Sequence, residues 1–244
     1  MHAFVISFTN RSKVECKDVS QKMTRLVATN WRAASEQTGY RTAVAGRATS
    51  ANANNWVACG LALLTNASTL RECLKSSETD DISLIAEARA KLGRSFHEHL
   101  SGGFSGVLIN QKSGEVEGYR DHIGVIPFYY CIYGGILTCG SDIRSVLHLS
   151  AIPLAEDKTR ISDFLVAEDV DPRITAFSGL GRLPAAHVLT FDKDGVSIQR
   201  YWMCEQPLMI DADTAASELC QRLNSATAEC LNKSTETGAM LSGG

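Results

Sequence analysis

Nowhere does the sequence approach the ~18 consecutive apolar residues that a membrane-crossing helix needs. The opening Met1–Phe8 is apolar, but it is too short and lacks the basic lead of a secretory signal. A long basic run is also missing. With 24 basic and 27 acidic residues the net charge is −3, so neither nucleic acid nor an anionic membrane is indicated as a partner. None of the eight cysteines forms a C-x-x-C pair, and several lie inside apolar stretches such as Trp56–Leu64 and Tyr129–Cys139. That usage fits reduced core thiols in a cytoplasmic protein, in which the N-x-S sequons at Asn10, Asn66 and Asn232 carry no meaning. Internal repeats and low-complexity tracts are absent too. What is present is the composition of an ordinary globular chain, 244 residues with 44% hydrophobic and 21% charged, enough for one large domain or two small ones.

Local patterns predict helices near the start and antiparallel hairpins through the middle. Ala3–Phe8 reads as a short apolar strand, and Asp18–Arg32 as a helix with Val19, Met23, Leu26 and Val27 near one face. Thr42–Ala48 and Trp56–Leu64 read as strands, separated by Ser50–Asn55, whose Asn-rich composition is that of a turn. Ile82–Leu92 keeps the 3.6-residue period behind a Thr79-Asp80-Asp81 cap and stops at Gly93. Phe104–Asn110 and Glu115–Arg120 flank a Gly-containing turn. Ile126–Tyr133 and Ile136–Gly140 flank Gly134-Gly135, and His187–Phe191 and Val196–Tyr201 flank Asp192–Gly195. Ile161–Val166 and Asp213–Asn232 read as helices. The layout is α+β rather than alternating βαβ, with a domain boundary between Pro207 and Asp213.

Three stretches carry a resemblance. The first is Arg120-Asp121-His122-Ile123-Gly124-Val125-Ile126-Pro127-Phe128-Tyr129-Tyr130, followed by Gly135-Ile136-Leu137 and Gly140-Ser141-Asp142-Ile143. The second is Gly181-Arg182-Leu183-Pro184-Ala185-Ala186-His187, with Arg200-Tyr201-Trp202 after the hairpin. The third is Leu241-Ser242-Gly243-Gly244. In order and spacing these resemble the R-D-x-x-G-x-x-P-L-Y-Y, R-L-P-P-G-H…R-Y-W and L-S-G-G-x-D-S elements of the asparagine synthetase family. The resemblance implies that residues 1–206 form a class II glutamine amidotransferase-like domain, an αββα sandwich of the N-terminal-nucleophile (Ntn) hydrolase type. Residues 207–244 would then be the first helix and strand of an α/β, Rossmann-like ATP-pyrophosphatase domain, in which Leu241, Ser242, Gly243 and Gly244 begin the pyrophosphate loop. ATP and Mg²⁺ are the cofactors so implied for a full-length parent. The R-D and P elements, with Gly124, are expected to carry structure, Arg120 and Asp121 forming a buried or half-buried pair and Pro127 turning the chain.

Departures from the family pattern point to a glutaminase site that is lost. The family nucleophile is a cysteine at the first position of the mature chain, its thiolate attacking the carboxamide while the α-amine moves protons. Here His2 follows Met1, and Cys16 could serve only after a cleavage that nothing around Lys13-Val14-Glu15 recommends. The R-H-R-G-P-D element expected near Arg25–Gly46 is absent. The N-G-E-I-Y-N element falls on Leu61-Ala62-Leu63-Leu64-Thr65-Asn66, where apolar side chains cannot hold an ammonium and a carboxylate. Asn66, Asp80 and Asp81 are the relic candidates, although a helix cap accounts for either aspartate. The family includes β-lactam-forming synthetases and lasso peptide cyclases that lack the cysteine. The expected function is therefore that of the amino-terminal part of a glutamine-independent, ATP-dependent amide-forming ligase. Its partners would be a carboxylate-bearing amino acid or peptide and a peptide-processing protein, and lasso-type cyclisation is the favoured subclass. The 244 residues alone are expected to be inactive as a ligase, the S-G-G ending reading as a truncation. Two alternatives stand beside it: a non-catalytic peptide- or partner-binding remnant, and a glutamine-hydrolysing asparagine synthetase with a misassigned start.

Overall fold

The computed structural model describes residues 3–9, 32–37, 40–45, 48–150, 152–153, 155–166, 171–204, 209–231 and 238. The helix expected at Asp18–Arg32 lies outside them, except that Arg32 begins a strand. The chain divides into two compact units, Met1–Met203 and Cys204–Gly244.

Among the described residues of the first unit, twelve strands form two six-stranded antiparallel sheets. They are β1 (Ala3–Thr9), β2 (Arg32–Gln37), β3 (Tyr40–Ala45), β4 (Thr49–Ala53), β5 (Trp56–Leu64), β6 (Gly102–Asn110), β7 (Val116–Arg120), β8 (Tyr129–Tyr133), β9 (Ile136–Gly140), β10 (Leu180–Arg182), β11 (His187–Asp192) and β12 (Gly195–Arg200). The first sheet runs β10-β8-β9-β1-β3-β2 and the second β12-β11-β7-β6-β5-β4. The helices are α1 (Ala67–Leu74), α2 (Asp81–Leu92), α3 (Ile143–Leu149) and α4 (Lys158–Leu165), with a 3₁₀ turn at Gly93–His99.

Side-chain alternation explains the layering. A strand sends successive residues to opposite faces. Val57, Cys59 and Leu61 of β5 therefore join Phe4, Ile6, Val107, Ile109, Phe128 and Leu189 in a core between the sheets. Trp56 and Ala58 point the other way, into a second core with Leu70, Leu74, Ile82, Ile85 and Phe104 beneath α1 and α2. A third core, with Ala3, Val5, Val146 and Leu149, lies under α3. The order is helix, sheet, sheet, helix: the expected αββα sandwich. Because both faces of β5 and β6 are covered, these strands read as continuous apolar runs instead of alternating ones. The sheets approach closely at Gly118, where an added Cβ would sit 2.6 Å from the Phe128 ring.

Two local expectations are corrected. Thr49–Ala53 is a strand paired with β5, Thr49 opposite Gly60 and Ala53 opposite Trp56, and only Asn54-Asn55 turn. Pairing with a long neighbour overrides the poor strand propensity of Ser and Asn. Helix α1, which the reading passed over, buries Ala67, Leu70 and Leu74 on one face. Cys59, Cys131 and Cys139 are buried, whereas Cys73, Cys204 and Cys220 are exposed. Burial raises the Cys131 thiol to about 11 and holds Cys139 well above the ordinary thiol value, so both remain protonated and unreactive at neutral pH.

In the second unit, Asp211 caps helix α5 (Ala212–Leu231) by accepting from the Thr214 N–H at 2.9 Å. Leu219 and Leu223 of its apolar stripe are exposed. No helix among the described residues is long and apolar enough to cross a membrane.

One ion pair is built into the core under α2. Arg89 donates to Glu117 of β7 at 2.6 and 2.8 Å, with both side chains buried, and its guanidinium lies 4.1 Å from the Trp56 ring centroid. Breaking such a pair strands a buried charge. Arg89→Met or Glu117→Leu alone should cost about 3–5 kcal/mol in urea denaturation, and the double variant should recover most of that loss.

Candidate functional site

The first two sequence motifs converge on one knot at the end of β7. The Asp121 carboxylate is fully buried. It accepts the backbone N–H groups of Val125 at 2.9 Å, Ile126 at 3.2 Å and Ile123 at 3.3 Å, tying the following loop into a ring. Arg120 donates to the carbonyls of Gly124 (2.7 Å), Ile126 (2.8 Å) and Leu183 (2.7 Å). The expected Arg120–Asp121 pair is thus corrected. Adjacent residues of an extended chain point to opposite sides, and each side chain braces backbone instead of the other. Burial lowers the Arg120 pKa, while the Asp121 charge pulls it back up. Gly124 sits at φ +72°, where a Cβ would fall 2.9 Å from an Arg120 nitrogen. The Pro127 carbonyl accepts from Ser105 Oγ at 3.1 Å.

The second motif closes the knot. Ala186 N–H donates to the Asp121 carbonyl and Tyr201 N–H to the Ala186 carbonyl, at 2.8 and 2.9 Å. Tyr201 Oη donates to the Arg120 carbonyl at 2.7 Å. Around Tyr201 lies an aromatic cluster that the sequence reading missed. His97 stacks on Tyr201 at 4.2 Å, and His122 meets Tyr201 and Trp202 edge-on at 5.4 and 5.2 Å. The Arg-Tyr-Trp motif marked one side of this cluster. His97 carried no local signal, since the 3₁₀ turn brings it there from far along the chain.

The relic candidates lie together near the end of β5. Asn66 donates to the His99 carbonyl at 2.8 Å and accepts the Ser101 N–H at 3.0 Å. Asp81 accepts the Leu64 N–H at 2.8 Å and stands 3.6 Å from Arg71. Asp80 caps α2 through Ser83 N–H at 3.0 Å and accepts Thr49 Oγ1 at 3.2 Å. Leu61 and Leu64 are buried. All three polar side chains are committed to holding β4, β5, α2 and the 99–101 turn together. His2 and Leu241–Gly244 lie outside the described residues.

The family model of the glutamine amidotransferase domain matches residues 63–202, which contain both the knot and this cluster. The chain belongs to the glutamine amidotransferase domain family. Over 142 residues it is 31% identical to the glutamine-hydrolysing asparagine synthetase 3 of Bacillus subtilis (strain 168), covering 57% of this chain and 23% of that protein. Over 176 residues it is 24% identical to a putative glutamine-hydrolysing asparagine synthetase 2 of Methanocaldococcus jannaschii, covering 70% of this chain and 34% of that protein. The chain therefore spans 23% to 34% of the length of these two relatives. The glutamine phosphoribosylpyrophosphate amidotransferase of B. subtilis, solved with ADP and GMP, shares the fold with a TM-score of 0.55. That likeness holds at 10% identity over 83% of this chain and 50% of the other. This is a glutamine amidotransferase domain of the Ntn type that resembles the amino-terminal part of asparagine synthetases.

Two predictions follow from the geometry of the amidotransferase domain. Asp121→Ala leaves three N–H groups without their acceptor and should cost at least about 3 kcal/mol, against about 1 kcal/mol for Tyr201→Phe, in chemical denaturation. The pH dependence comes from His97 and His122, whose pKa values burial lowers from the ordinary 6.5, with Glu98 and Glu117 opposing at His97 and Asp121 at His122. Below 6.5 the unfolded chain binds protons that the folded imidazoles refuse, so stability is full above that value and falls as pH drops through and below it. His97→Phe and His122→Phe should each flatten that slope, by less than ~1.4 kcal/mol per pH unit, in unfolding measured from neutral to mildly acid pH.

Proposed function

We propose that the chain is the amino-terminal part of an asparagine-synthetase-like, ATP-dependent ligase that forms an amide without hydrolysing glutamine. The observation that carries this reading is the state of the old glutamine end of the sheet. A cleft that binds glutamine must offer uncommitted groups to an ammonium and a carboxylate. Here Asn66, Asp80 and Asp81 are bonded to the chain's own backbone and side chains, and Leu61 and Leu63 stand where the family has Asn and Glu. Desolvating a zwitterion against such a surface is unfavourable.

The chemistry of the parent enzyme would be activation of a carboxylate as its adenylate, with pyrophosphate leaving. An amine then attacks the acyl carbon, forming the C–N bond and expelling AMP. The amine would come from the substrate itself or a second molecule rather than from glutamine. Residues 1–206 act as a scaffold in this proposal, and residues 207–244 open the Rossmann-like synthetase domain. Leu241, Ser242, Gly243 and Gly244 lie outside the described residues, so ATP and Mg²⁺ enter through the resemblance alone. A peptide carboxylate closed onto an amine of the same chain, as in lasso-type cyclisation, is the favoured substrate class.

A groove of about 220 Å³ beside α4 and β10, lined by Ile161, Phe164, Ile174, Arg160 and Arg182, favours a second reading as a peptide-binding module. Isothermal titration with candidate peptides separates it from the first, a flat trace counting against it. For the leading proposal, the full-length parent should exchange labelled pyrophosphate into ATP in the presence of its acid substrate while leaving glutamine intact. Release of glutamate from glutamine would refute glutamine independence and favour an ordinary glutamine-hydrolysing asparagine synthetase.

A further inference from the structure

The third core stops short of one end of the first sheet. Leu180 pairs with Cys131 and Arg182 with Tyr129, so all four side chains share the outer face of that sheet. Leu180 and Cys131 are buried in the core under α3, and Tyr129 and Ile143 pack against its margin. Beyond them lies the groove of about 220 Å³ beside α4, with Ile143, Ile161, Phe164, Ile174 and Ala176 as its apolar walls. Helix α4 buries no residue. Its apolar stripe runs through Ile161, Phe164 and Leu165, at i, i+3 and i+4, and Phe164 is 74% exposed. An apolar stripe left open beside a recess marks a binding face.

The polar lining is cationic. Tyr129, Arg160, Thr175 and Arg182 complete the wall, and no carboxylate stands among the described lining residues. Thr175 is already committed: its Oγ1 donates to the Leu180 carbonyl at 2.8 Å and accepts the Phe177 N–H at 3.2 Å. Arg182 gives its Nε to the Pro172 carbonyl at 2.7 Å, which steadies the side chain and leaves both Nη groups without a partner among the described residues. The Arg160 guanidinium and the Tyr129 hydroxyl have none there either. The described acids around the groove are bonded elsewhere or lie outside it. Asp157 caps α4 through the Arg160 N–H at 3.0 Å, Asp142 caps α3 through the Ser145 N–H at 3.0 Å, and Asp171 holds Arg173 at 2.6 Å. Asp163 of α4 is not part of the lining.

We propose that this groove binds a carboxylate carried on a compact apolar body, a free organic acid or the carboxyl terminus of a peptide that ends in an apolar residue. A guanidinium fork matches the two carboxylate oxygens in one plane, and the Tyr129 hydroxyl adds a further donor. Apolar walls beside the charge favour a singly charged carboxylate over the more strongly hydrated phosphate. The volume lies below the roughly 300 Å³ at which sites for drug-sized ligands begin, so the recognised part is about the size of one apolar amino acid. The inference rests on the second reading above, to which it gives a ligand class, and is independent of the ligase proposal.

The test is a titration of the chain, ¹³C-labelled at the isoleucine δ1-methyl groups, with 4-methylpentanoate, its amide and inorganic phosphate. An acetylated tripeptide ending in leucine is added as the free acid and as the C-terminal amide. Both acids should shift Ile143, Ile161 and Ile174 saturably, while Ile6 and Ile109 of the core between the sheets stay in place. The two amides should bind at least about tenfold more weakly. Arg160→Gln and Phe164→Ala, both on an exposed helix, should each raise the Kd of the acids at least about fivefold. The tighter of the two acids identifies the source, peptide terminus or free acid, and either order supports the proposal. Amides that bind as well as the acids would overturn carboxylate recognition and leave the peptide-module reading standing. Phosphate binding as tightly as the acids, or acid binding unchanged in both variants, would also overturn the proposal. No saturable shift with any probe would overturn it together with the peptide-module reading.

Discussion

The fold turns on a buried carboxylate that has no cation as its partner among the described residues. Asp121 is held by three consecutive-loop N–H groups, and the neighbouring Arg120 spends its guanidinium on three carbonyls. Each charge faces backbone dipoles at short range in a region with little water, where such bonds are strong and their loss expensive. The consequence is positional. The loop from Ile123 to Pro127 feeds strand β8 of the first sheet, while Arg120 ends strand β7 of the second. The knot therefore fixes how the chain passes from one sheet to the other. Leu183, Ala186 and Tyr201 lock the segments around β11 and β12 into the same place.

This arrangement accounts for what could and could not be read in advance. The run Trp56–Leu64 and the capped helix after Asp80 were legible because burial of both strand faces and a side-chain cap leave marks within a few residues of sequence. The hairpins at Gly134-Gly135 and Asp192–Gly195 were legible for the same local reason. Thr49–Ala53 was not, because an edge strand of Ser, Ala and Asn exists only through its pairing with β5. Helix α1 has no side-chain cap at Asn66 and no acidic first turn, so only packing reveals it. The motif residues Arg120, Asp121, Gly124 and Pro127 stood out in the sequence as a group, and all four lie in the knot. Their partners lie up to 81 residues away, and no spacing rule shows that the two charges avoid each other.

The same economy bears on the proposed loss of the glutamine site. Asn66 and Asp81 are positioned like groups that could receive a substrate, yet each is consumed by a backbone partner from the 99–101 turn or from Leu64. A glutamine would have to displace those bonds and desolvate its own charges against leucines. In the proposed reading the amidotransferase frame is retained with its sheets, knot and helices in order, while the polar groups near β5 serve as part of the frame.

The most direct test of that account follows the Leu64 amide resonance, whose N–H is held by Asp81, while glutamine is added to concentrations that saturate an ordinary glutaminase. The account predicts that the resonance stays where it is and exchanges with solvent no differently. A saturable shift of Leu64, lost in Asp81→Ala, would show that the carboxylate trades its backbone partner for substrate and would contradict it.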